Sequence, residues 1–104
     1  LYINTTGSDN TAHGKEALYS NTEGSSNTAI GIRSLYSNTG SGNTAIGSSA
    51  LYSNQLTNNN TAIGYLSLRN NTTGSQNNAI GFASLFSNIS NINIILVFID
   101  IYYK

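Results

Sequence analysis

Asn43-Thr44-Ala45-Ile46-Gly47-Ser48-Ser49-Ala50-Leu51-Tyr52-Ser53-Asn54 decides the fold, because the chain writes this stretch repeatedly with small changes. The half-motif Asn-Thr-Ala-Ile-Gly begins at Asn10 (with His13 in the Ile place), Asn27, Asn43, Asn60 and Asn77, in steps of 17, 16, 17 and 17 residues. The half-motif Leu-Tyr-Ser-Asn begins at Leu1, Leu18, Leu35, Leu51, Leu68 and Leu85, and shortens by one residue in the same interval. That deletion falls in Asn38-Thr39-Gly40-Ser41-Gly42, against Asn21-Thr22-Glu23-Gly24-Ser25-Ser26 one repeat earlier. A turn absorbs the change and both halves keep their register.

A helix-pair repeat needs about 33 residues, so a period of 16–17 points to the coils of a solenoid. Composition agrees. Each of the 10 glycines would cost about 1 kcal/mol inside a helix. Asn, Ser and Thr favour turns because their side chains bond nearby backbone. The fold predicted is all-β, a parallel β-roll or β-solenoid over residues 1–91 with two short strands per coil: Thr-Ala-Ile, then Ala/Ser-Leu-Tyr-Ser.

In a strand, neighbouring side chains point to opposite faces. Ranking by hydrophobicity puts Leu18, Leu35, Leu51, Leu68 and Leu85 inside, together with Ile30, Ile46, Ile63 and Ile80. A second row is then left outside. It comprises Tyr19, Tyr36, Tyr52 and Phe86 on one strand and Ala29, Ala45, Ala62 and Ala79 on the other, and is expected to stack or to meet another copy. Arg69 interrupts the aromatic column, and a guanidinium can stack on a ring. Asn27, Asn43, Asn60 and Asn77 are expected to form a corner ladder. Gly31, Gly47, Gly64 and Gly81 are expected to turn the chain, with positive φ or a close backbone approach.

Charged residues make up 8% of the 104-residue chain and the formal net charge is zero. An ordinary domain carries about 25%, so Asn, Ser and Thr must form the surface, and nothing steers the chain toward nucleic acid or anionic lipid. Cysteine is absent, which removes disulfides and thiolate metal sites. The carboxylates Asp9, Glu16, Glu23 and Asp100 form no convergent pair with His13 at this period; no catalysis, metal or cofactor is expected. His13 reads as a polar residue at a wetter end coil.

Low charge and abundant Asn can also mean disorder, but apolar residues at fixed phase argue against it. Asn-x-Ser/Thr sequons fall at Asn4, Asn59, Asn70, Asn71 and Asn88, with Asn70 and Asn71 expected to be the accessible ones. The chain opens inside a repeat, at Leu1-Tyr2-Ile3-Asn4, with no leader-like stretch, and reads as part of a longer array. After residue 91 the pattern is expected to fail. Ile94-Ile95-Leu96-Val97-Phe98 opens an apolar run within 92–104 that is too short to cross a membrane and is expected to be covered as a cap or paired with another chain.

Asn27-Thr28-Ala29-Ile30-Gly31 and its copies resemble the Ser-Val-Ala-Ile-Gly-like unit of the head repeats of trimeric autotransporter adhesins, over residues 1 to 90. They are also similar to Asn-Thr-Ala-Ile-Gly arrays of bacterial, phage and giant-virus fibre proteins. The resemblance implies a left-handed parallel β-roll, a homotrimer, and binding to a host surface or matrix from an extracellular, cell-surface or virion-surface position. Family heads commonly use a shorter unit; here the extra residues lie in the Asn-Thr-x-Gly-Ser turn. Two other readings compete. One is a self-assembling filament in which the tail donates a strand; the other is an ice-binding solenoid built on the Thr11, Thr28, Thr44 and Thr61 row.

Overall fold

The computed structural model describes residues 1–96; the rest of the expected tail, 97–104, lies outside the described residues. Among the described residues there are eight strands: β1 (Thr11–His13), β2 (Thr28–Ile30), β3 (Thr44–Ile46), β4 (Thr61–Ile63), β5 (Asn70–Asn71), β6 (Asn78–Ile80), β7 (Ser87–Asn88) and β8 (Ile94–Leu96). Each passage through Thr-Ala-Ile lays a strand beside its predecessor, giving a six-stranded sheet in the order β1-β2-β3-β4-β6-β8. Every pair is parallel, and Thr11, Thr28, Thr44, Thr61, Asn78 and Ile94 lie in register. The chain is a parallel β-solenoid.

The array runs past residue 91. Asn88 to Asn93 repeats the short turn of Asn38 to Asn43, so the last step between motif asparagines is again 16 residues, and Ile94 pairs with Asn78. The sequence reading allowed 17 and missed the sixth rung. Ile94, Ile95 and Leu96 are exposed on it, so among the described residues nothing covers this end.

The second expected strand is mostly not extended. Leu18, Leu35, Leu51, Leu68 and Leu85 carry φ between 46° and 50°, a left-handed conformation that costs an L-residue about 1–2 kcal/mol. Only β5 and β7 form a short parallel pair on this wall. Coil-to-coil bonds still run along it. Leu51 N donates to Ser67 O at 3.0 Å and Ser53 N to Arg69 O at 2.9 Å. Those bonds, and burial of the leucine side chain, complete at Leu18, Leu35, Leu51 and Leu68 but only partial at Leu85 and worth about 1.5–3 kcal/mol where complete, offset the strain.

The alternation holds, but on the sheet wall its phase is the reverse of the expected one. Ala29, Ala45, Ala62 and Ala79 are wholly buried with Leu18, Leu35, Leu51 and Leu68. Ile30, Ile46 and Ile80 are 38%, 37% and 40% exposed, and Ile63 is half-buried. Asn27 and Ala29 share a strand face at period two, and Asn27 is buried in a hydrogen-bond network that only the interior supplies. Asparagine sets the phase and isoleucine follows outward.

Gly47 illustrates why the corner glycines recur. Its φ is +131°, and an added Cβ would lie 2.6 Å from the backbone oxygen of Gly64 in the next coil. Gly42 is different: its φ is +69° and the nearest atom is the end of the Asn59 side chain. Ser26, Asn59 and Gln76 hold the same place in other coils with φ of 57–59°. Gly47→Ala is therefore expected to cost on the order of 2–4 kcal/mol in chemical denaturation, and Gly42→Ala under about 1 kcal/mol. Equal losses at the two sites would contradict this account.

Candidate functional site

Two columns of asparagine line the interior, and the sequence reading anticipated one. In the first, each side-chain oxygen accepts the backbone N–H of the next coil's asparagine: Asn27 from Asn43 at 2.9 Å, Asn43 from Asn60 at 2.9 Å, Asn60 from Asn77 at 3.0 Å. Asn21, Asn38, Asn54, Asn71 and Asn88 make the second. There Nδ2 of Asn38 donates to Oδ1 of Asn21 at 2.9 Å, and Asn54 donates to Asn38 at 2.8 Å. In most coils the two columns converge on one carbonyl; at Gly74 O, among the described residues, only Asn71 donates, because Asn60 turns to Thr57 Oγ1. Gly40 O accepts from Asn27 at 2.9 Å and from Asn38 at 2.8 Å.

Among the described residues no buried side-chain nitrogen or oxygen lacks a partner. A buried amide is expensive when unpaired, and here each is matched, so the ladders hold register without a large apolar core. The signal for the second column was present as the final Asn of Leu-Tyr-Ser-Asn. It also removes a sequon: Asn71 is fully buried, where accessibility was expected.

Outside, the wall opposite the sheet carries the aromatic column. Tyr2, Tyr19, Tyr36 and Tyr52 stack with ring centroids 5.0, 5.2 and 5.0 Å apart and planes within 3°. The Arg69 guanidinium continues the stack, 4.9 Å from the Tyr52 ring centre and 5.8 Å from that of Phe86. Tyr19, Tyr36 and Tyr52 are half-buried by one another while their outer edges face water. The alanines expected to share this outward role are interior, so they cannot meet a second copy.

The sheet wall presents Thr and Ile in alternating columns. At its corner lies a third apolar set that sequence reasoning passed over: Ile32, Tyr65 and Phe82, all exposed, with the Tyr65 and Phe82 rings 5.7 Å apart. Each follows a corner glycine, where the chain turns outward.

Charge is local. Arg33 Nε donates to Glu16 at 2.6 Å across neighbouring coils, and that hydrogen bond holds the Glu16 carboxyl below its ordinary range. Arg33 is exposed and Glu16 half-buried, so solvent screens the pair and it pins a surface more than it stabilises the fold. His13 is exposed at the head of the outward isoleucine column. Among the described residues no three His, Asp or Glu side chains gather into a cluster that could hold a metal ion. Among the described residues, shallow grooves lie beside Tyr2, Glu16 and Tyr19 and beside Ser37, Thr39 and Leu56.

The fold and its repeated outward columns define a repeat protein of the β-solenoid class. No family model, curated protein or solved structure matches the chain.

Proposed function

We propose that this chain is a structural and adhesive segment of an extracellular, cell-surface or virion-surface fibre, without catalysis, in which copies associate side by side. The observation carrying this reading is the column of four stacked tyrosines, continued by Arg69 and Phe86, along one wall of a stack whose polar interior is fully paired among the described residues. A continuous row of ring edges is unusual on a monomer, and Tyr is enriched where one protein meets another. The left-handed homotrimer implied by the adhesin-like motifs would bury that row between chains. The host-facing surface would be the remaining neutral face, binding a receptor or matrix component and neither nucleic acid nor membrane.

Light scattering on the purified chain tests the association. The expected mass is that of three chains, falling to one in a Tyr36→Ser/Tyr52→Ser variant that keeps its circular-dichroism spectrum. A wild-type monomer at micromolar concentration would remove the side-by-side reading. Adhesion is tested separately by binding of chain-coated beads to a panel of matrix proteins and host cells.

Ile94–Leu96 favours a second reading. Among the described residues these three exposed apolar residues form the edge strand of the six-stranded sheet, and a sheet edge is a template for strand addition by another copy. Electron microscopy separates the two: filaments lengthening along the solenoid axis support end-to-end assembly, discrete particles the trimer.

A further inference from the structure

We propose that the outward Thr/Ile face of the six-stranded sheet binds ice. The face became visible only with the phase of the sheet: because alanine points inward, Thr28 and Ile30, Thr44 and Ile46, and Thr61 and Ile63 all point outward together. The strands are parallel and in exact Cα register, so like side chains repeat every ~4.8 Å between strands and Thr-to-Ile every ~6.7 Å along a strand. The inter-strand distance, the one that truly repeats, is close to the short lattice repeat of hexagonal ice. Asn78 and Ile80 extend the array by one coil with a single change of side chain.

Three properties suit such a surface to ordered water. It is neutral: no outward strand position from Thr28 to Leu96 carries a charge, and the charged residues of the described chain lie in turns or on the other wall. It is preordered, because Thr and Ile are β-branched and have few rotamers to lose. It is stiff, since interior alanines and paired asparagines hold each rung behind it. Hydroxyls can then join the lattice while methyl groups order the water between them. The competing explanation is that β-branched residues occupy these places solely as good strand formers.

The test is enrichment of the purified full chain into a slowly growing ice front, with inhibition of ice recrystallisation as the second readout. The wild type is expected to enter ice above an inert protein of similar size. Thr44→Lys, placed at the centre of the face, is expected to fall to the inert level while its circular dichroism and thermal midpoint stay native. Thr39→Lys, exposed on a turn, is expected to behave as wild type. Exclusion of the wild type from ice overturns the proposal, as does retained enrichment in folded Thr44→Lys or equal loss in Thr39→Lys. Mass in solution is read on the same samples, so failure here leaves the fibre reading to its own result.

Discussion

Leu51→Asp is expected to break the array in the middle, whereas Leu1→Asp leaves it nearly intact. Leu51 is 0% exposed and Leu1 is 47% exposed. Truncating a buried leucine costs about 2–5 kcal/mol, and a carboxylate in its place adds desolvation with no partner among alanines and leucines. The expected loss is at least about 4 kcal/mol at residue 51 and within about 0.5 kcal/mol at residue 1. Each coil touches only its neighbours. Hydrogen exchange on Leu51→Asp should therefore open the coils around residue 51 first, with protection surviving on either side. Equal shifts of the denaturation midpoint in the two variants would show that the stack melts as one unit.

The second large effect is expected at Asn43. Its side-chain oxygen accepts from Asn60 N at 2.9 Å, and its amide donates to Thr57 O at 2.9 Å. Asn43→Leu keeps the shape and strands the buried Asn60 N–H, for an expected loss of about 3–5 kcal/mol, since each unpaired buried group costs about 1–3 kcal/mol. Asn43→Asp is more informative. It retains an acceptor for Asn60 but buries a charge, which raises the folded-state pKa of the new carboxyl above its value of about 3.9 in the unfolded chain. A group shifted that way contributes stability that is full below the unfolded pKa and is lost as pH rises through the folded one. Urea midpoints of Asn43→Asp should thus approach wild type near pH 4 and fall well below it at pH 7. A flat difference across that range would mean that the ladder is not desolvated.

What could be read from the letters was periodic. Spacing located the turns, the parallel stacking and the aromatic column, including Arg69 between two rings. The inside and outside of the sheet could not be found by ranking hydrophobicity, because Ile30 outranks Ala29 while the phase is dictated by Asn27, a residue ordinarily found at the surface. The left-handed leucines were hidden for a related reason. Leucine has no preference for positive φ, and the bonds that hold it there belong to the next coil. Thr57 was equally silent: it stands where Gly24, Gly40 and Gly74 stand, and it directs its hydroxyl into the asparagine columns. Long-range pairing overrode local preference at each of these places.

The one-rung-per-repeat register has a consequence for economy of length. A helix of 17 residues extends about 25 Å at 1.5 Å per residue, while the same number here advances the axis by only one strand spacing, about 4.8 Å. A molecule selected to reach across a gap would spend its residues on helix. Winding them into rungs yields breadth of patterned wall in place of distance, and inserting or deleting a whole 16–17-residue unit would tune how much wall is offered without disturbing any rung already in place.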